Sequence, residues 1–185
     1  MHDDDVYDHL TAIDMSRSAT KAEEFEELAG SMPVGENGRA TFLLAAGQHR
    51  QMRKEYEEAR RLFELALEDG GDSGTEPLAN LHSLALDTGD DAAAESLSKQ
   101  LRVLVREGDL GADSCHFVGD TLRSHGRLRE ALRWFTIPLT WADEDDELDD
   151  LCLVSRYHVR RELGMAEDRF DQIAAAEIEF RSSTG

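Results

Sequence analysis

This chain of 185 residues has only two cysteines, three prolines and three lysines, and it contains no long apolar run. Each scarcity excludes something. Cys115 and Cys152 are too few for a disulfide framework and agree with a reducing compartment. No CxxC spacing accompanies them or the nearby His116 and His158, so core packing accounts for them better than zinc does. Three prolines among abundant Ala, Leu, Glu and Arg fit an all-helical chain. Without an apolar run of about 18 residues, no segment is suited to spanning a membrane. Met1 to Asp5 is acidic where a secretory signal is basic and then apolar, which predicts a cytoplasmic protein.

Catalytic signatures are missing too. There is no nucleophile elbow, P-loop or dinucleotide fingerprint, and Gly70 to Gly74 is glycine-rich without the lysine that a phosphate loop needs. The acidic run from Asp143 to Asp150 lacks the glycine of a calcium loop. It reads as a solvated connection to a helix N-terminus, where carboxylates favour the dipole. No acid–base pair is supported by spacing, so neither catalysis nor a cofactor is expected. Basic residues are short by half, 20 against 40 acids, for a net charge of −20. Such a surface repels nucleic acid and anionic membranes. Arg156, Arg160 and Arg161 come nearest to a basic strip. Arginine outnumbers lysine heavily, a bias of GC-rich bacterial genomes.

One spacing is present twice. Gly47, Ala59, Phe63 and Leu67 lie at relative positions 0, 12, 16 and 20, and Gly119, Ala131, Phe135 and Leu139 repeat them 72 residues later. A weaker copy, with His82, Ala94 and Ser98, falls between, and a fainter one, with Tyr157, Arg169 and Ile173, follows. A small residue on each of two helices, with an aromatic one turn beyond, lets an antiparallel pair pack closely. Recurrence every 35 to 38 residues means stacked helix pairs, which act by presenting a surface.

The pattern resembles the tetratricopeptide repeat (TPR), a helix–turn–helix unit. The first match reads Leu43, Ala46–Gly47, Tyr56, Ala59, Phe63, Ala66. The third reads Cys115, Val118–Gly119, Leu122, Leu128, Ala131, Phe135, Pro138. The second keeps Leu78, Leu81, Ala85, Gly89 and Ala94, and the fourth only Leu153, Gly164 and Ile173. The resemblance implies an all-α fold, a right-handed superhelix of antiparallel helix pairs (an α-solenoid). Residues 1–36 would form an N-terminal helical cap or degenerate repeat. Residues 37–180 would form the repeat domain, with repeats at about 38–71, 74–107, 111–142 and 148–180.

Local signals place the helices. Asp8 to Met15 and Lys21 to Ser31 fit two short ones. The first repeat turns near Arg53–Lys54, while Gly89, Gly126 and Gly164 stop the first helices of the others. Thr75 can cap the helix that opens with Pro77. Pro138 predicts a stop near Phe135 to Ile137, and the tail beyond Glu179 is expected to fray.

In TPR proteins the inner faces of the first helices line a concave groove. Carried onto this chain, the resemblance implies partner-binding residues Gln48, Gln51, Asn80, Ser83, His116, Asp120, Arg123, His158 and Arg161. Thr41, Leu44, Met52, Asp87, Ser155 and Glu162 occupy further groove positions. Asn80 matches the asparagine of the TPR subset that clamps a C-terminal carboxylate. Thr41, Leu44 and Asp113 do not supply that subset's cations, so chaperone-tail binding is disfavoured. The expected function is a non-catalytic protein–protein interaction module, an adaptor that takes a basic or polar peptide or helix. The alternative is a self-associating homodimer, for which Trp141, Trp134 and Phe180 are the apolar candidates.

Overall fold

The turn that ends each first helix is built once and used four times. At Lys54, Gly89, Gly126 and Gly164 the backbone is left-handed, with φ of 63°, 71°, 73° and 65°. The N–H of each donates to the carbonyl three residues back, at 2.8, 3.1, 2.9 and 3.0 Å. The N–H of the next residue donates to the carbonyl five back, at 3.0, 2.9, 2.8 and 3.0 Å. This is the Schellman closure, in which two orphaned carbonyls of a helix end are satisfied by a residue that glycine suits best. Lys54 stands in the first turn where the other three have glycine.

The structure, a computed structural model, describes residues 2–141 and 148–184. Among them it contains ten α-helices and no strand: α1 (Asp3–Met15), α2 (Lys21–Gly30), α3 (Arg39–Met52), α4 (Tyr56–Asp69), α5 (Pro77–Asp87), α6 (Asp91–Glu107), α7 (Ala112–Ser124), α8 (Leu128–Thr136), α9 (Asp150–Glu162) and α10 (Arg169–Thr184). None of the described helices is long and apolar enough to cross a membrane. The chain divides into two compact units, Met1–Val103 and Leu104–Gly185, with the boundary inside α6.

In the first unit, α3 and α4 approach closely because Gly47 has no side chain. A Cβ there would lie 2.4 Å from the Phe63 ring. Ala59 and Phe63 are fully buried, and Phe25, Phe42, Leu62 and Leu84 complete the core around them. Helix α5 is buried on nearly every face, as an apolar helix with neighbours all round must be.

Contacts in this unit join residues one repeat apart. Asn37 donates to Asp3 at 2.7 Å, Asp69 accepts from the Gly35 N–H at 3.1 Å, and His49 meets Asp14 at 2.9 Å. Arg61 pairs with Glu26 in the same way. These partners are 34 or 35 residues apart, so α1 runs beside α3 in the same direction. The segment before residue 37 is thus tied to the next helices at offsets of 34 and 35 residues. It lacks a Gly–aromatic contact; instead Phe25 stacks on Phe42 at 6.3 Å and on His49 at 5.7 Å. Helix α1 begins five residues before the expected Asp8. Asp3, Asp4 and Asp5 occupy its first turn, where carboxylates favour the dipole.

The second unit repeats the packing. A Cβ at Gly119 would lie 2.5 Å from the Phe135 ring, and Ala131 and Phe135 are fully buried. Helix α8 stops at Thr136, and Pro138–Thr140 forms a single 3₁₀ turn, as proline's missing donor requires. Asp149 caps α9 by accepting from the Cys152 N–H at 2.7 Å. The rest of the acidic run, residues 143–147, lies outside the described residues.

Four expectations are corrected. Trp134 is 4% exposed and belongs to the interior, leaving Trp141 and Phe180 as the exposed apolar residues named for self-association. Glu76 rather than Thr75 caps α5, through a 3.4 Å bond from the Leu78 N–H. The residue before a proline is driven into the extended geometry that an N-cap needs. Helix α10 continues to Thr184, because Arg181 bridges Glu177 at 2.9 Å and also reaches Asp150 on α9. Finally, Arg156 and Arg160 form no basic strip: they are buried and held by Asp168 and Asp171.

Candidate partner-binding face

In the first unit the first-helix side chains chosen from the sequence are brought together, but largely to bind one another. Gln48 on α3 donates its amide to Asn80 Oδ1 on α5 at 2.8 Å. One turn on, Gln51 donates to Ser83 Oγ at 3.1 Å and to Asp87 Oδ2 at 2.7 Å. Asn80 is completely buried, and its own amide reaches the Glu76 carbonyl at 3.4 Å. Ser83 is buried as well, while Gln48 and Gln51 are half-exposed. The four residues form a polar seam between α3 and α5, with Met52 and Asp87 exposed at its end.

In the second unit, His116 on α7 meets Ser155 Oγ on α9 at 3.0 Å, its ring 5.5 Å from that of Phe135. Arg123 pairs with Glu162. Asp120 and His158 are exposed. Arg161 is exposed too; it donates to the Tyr157 hydroxyl at 2.8 Å and stands over that ring at 5.5 Å. Ser155 and Glu162 thus play for α7 the part that Asn80 and Ser83 play for α3.

Bonds between first helices recur at a nearly fixed offset within each unit. They join residues 32 to 36 apart in the first and 39 apart in the second. An offset of one repeat between partners is the mark of equivalent helices lying side by side. The side so formed carries amide, hydroxyl and carboxylate groups in the first unit, and hydroxyl, imidazole, carboxylate and guanidinium groups in the second.

Near Thr41, a cleft of about 260 Å³ opens between α1, Asn37 and the segment 72–74, with Val6, Tyr7 and Leu10 on one wall. Sequence reasoning missed it, because α1 carries no repeat signature that would place Tyr7 beside Thr41.

Cys115 and Cys152 are completely buried in the second unit. Burial pushes the Cys115 thiol up to about 12, with the Asp149 charge adding to it. The Cys152 thiol is pushed up further, by burial and by its hydrogen bond with Asp149. Such thiols are neither nucleophiles nor ready metal ligands at neutral pH. Among the described residues no group of three or more His, Cys, Asp or Glu side chains is placed to hold a metal ion.

Behind α9 lies an ion network. Arg156 donates to Asp168 at 2.5 Å and to Asp171 at 3.2 Å, and Arg160 donates to Asp171 at 2.8 Å. The Arg156 hydrogen bond is the main reason that the Asp168 carboxyl is lowered to about 2. Asp168 also caps α10, accepting from the Phe170 N–H at 3.1 Å. The network fixes α9 against α10 and so fixes the direction in which His158 and Arg161 are offered. No protein-family model matches the chain, and no curated protein or solved structure matches it.

Proposed function

We propose that the chain is a non-catalytic protein-interaction module whose helix pairs are TPR-like repeats stacked as a right-handed superhelix. Its concave groove, lined by the first helices, takes a peptide or helix of a partner protein. One observation carries the reading: first helices are joined side by side at a one-repeat offset, through Gln48–Asn80 and Gln51–Ser83 in one unit and His116–Ser155 and Arg123–Glu162 in the other. Within each unit, helices held in that order present their remaining side chains on a shared side. The groove residues left exposed are Met52 and Asp87 in the first unit, and Asp120, His158, Arg161 and Glu162 in the second.

With a net charge of −20, the chain favours a basic or polar partner and steers it in faster at low salt. The reading calls for a cytoplasmic location and no cofactor. A photo-crosslinking amino acid placed at Asp120 or His158 should capture the partner in the source cell. One at Arg129, on a second helix, should not. Capture from Arg129 alone would move the interface to the other side of the array.

A second reading, self-association, is favoured by Trp141, Leu151 and Phe180, which are 46%, 56% and 65% exposed in the second unit. Light scattering decides: a mass twice that of the chain, lost in Phe180→Glu, would establish it.

A further inference from the structure

The second unit holds a cleft of about 370 Å³ between α8 and α9 that is unlike the rest of this acidic chain. Three arginines line it, Arg133, Arg156 and Arg160, and among the described residues no carboxylate does. Asp168 and Asp171, which hold two of those guanidinium groups, are not among its walls. The remaining lining is aliphatic or carries methyl groups: Leu132 and Ile137, with Thr136 and Thr140. It is therefore greasy along its length and cationic at one side. The volume is roughly a dozen times that of a water molecule, enough for about ten non-hydrogen atoms.

The arginines are not equally committed. Arg156 is fully engaged, with Nε on the Thr136 hydroxyl at 3.3 Å and both terminal nitrogens on Asp168 and Asp171. Arg160 Nη1 has among the described residues only the Met165 sulfur, at 3.9 Å, and sulfur is a weak acceptor. Arg133 is exposed and makes no ion pair with any described residue. One buried guanidinium edge and one exposed guanidinium with no ion pair among the described residues thus border an apolar cleft. Oxygen acceptors carrying negative charge are what such donors bind best.

We propose that this cleft binds a small amphipathic carboxylate, its head on Arg133 and Arg160 and its apolar body of about seven carbons against Leu132 and Ile137. The site is separate from the face proposed for protein partners and does not depend on it. Phosphate is a poorer fit, because the aliphatic walls reward an apolar body and offer a second charge nothing.

The test uses the full chain and sodium octanoate, by calorimetry and by amide chemical shifts in two-dimensional NMR. Octanoate should bind saturably, one to one, and move the amides of Ile137 and Thr140. Acetate, with the head but no body, and 1-octanol, with the body but no charge, should each bind roughly tenfold more weakly or worse. Arg133→Ala, whose side chain is exposed, should weaken octanoate five- to tenfold with an unchanged thermal melt. Ile137→Glu should abolish binding. Absent saturable octanoate binding, equal binding of octanol, shifts confined to other helices, or an Arg133→Ala protein that binds as before would each overturn the proposal.

Discussion

Gly47→Ala should destabilise the protein although it replaces glycine by the best helix former. In an open helix interior the change gains about 1 kcal/mol. Here the added Cβ would lie 2.4 and 2.6 Å from two carbons of the Phe63 ring. Phe63 is completely buried, so the ring has no solvent to swing into. Either it leaves its rotamer or α3 and α4 move apart, and overpacking of that kind costs about 1–3 kcal/mol. The net effect is a loss of about 1 kcal/mol. Gly119→Ala should behave alike, because the Phe135 ring stands 2.5 and 2.7 Å from the corresponding Cβ.

Urea unfolding followed by circular dichroism measures this, with Gly30→Ala as control. Gly30 ends α2 and has nothing within 4 Å of its Cβ position, so alanine should leave stability level or raise it. Pairing Gly47→Ala with Phe63→Leu closes a double-mutant cycle. The smaller side chain relieves the clash, so the two changes should couple by about 1 kcal/mol or more. If Gly47→Ala stabilises as an open-helix substitution would, or if the pair is additive, the close approach of α3 and α4 is wrong.

Lys54→Gly should stabilise by about 1 kcal/mol by removing a side chain from left-handed backbone, while Gly89→Ala and Gly164→Ala should cost a similar amount; unfolding midpoints moving the other way would refute the shared turn. Asp168, lowered to about 2 from the ordinary 3.8, contributes stability that is full above the ordinary value and lost as pH falls through the folded one. Urea midpoints should therefore drop between pH 4 and pH 2, and Asp168→Asn should flatten that limb of the curve. Asn80→Ala leaves the Gln48 amide facing a buried apolar neighbour and should cost about 1–3 kcal/mol, whereas Asp120→Ala and His158→Ala, both exposed, should leave the melt unchanged and weaken partner capture.

The packing register was legible because it is a property of two helices and one short turn. Given the turn, residues 12 and 16 apart must meet, and Gly47 with Phe63 and Gly119 with Phe135 do so. The first turn was harder to read, since Lys54 occupies a position where glycine is the usual sign. The first helix pair was harder still. Its contacts to the next pair are Phe25 on Phe42 and paired polar ends such as Asp3–Asn37, and no spacing within residues 1–36 announces them. Arg156 and Arg160 could have been read correctly. Two arginines one turn apart, facing two acids three residues apart across the Gly164 turn, can close on one another before any of them reaches solvent.

For the binding face, the sequence located the helices and left the exposure of each side chain open. Position along one helix decides which way a residue points; the neighbouring helix decides whether it is still free when it gets there. Asn80 and Asp120 were chosen on the same grounds, and one is sealed under Gln48 while the other stands in solvent. Side chains spent on joining first helices cannot also read a partner. The seam between α3 and α5 is therefore structural, and under the proposed function discrimination among partners would fall to the exposed set on α7 and α9. There His158 and Arg161 take their orientation from Tyr157, at 5.5 Å from each, and from the arginine–aspartate network behind α9. If the proposed function holds, a change in that network would alter recognition by turning α9 rather than by removing a contact.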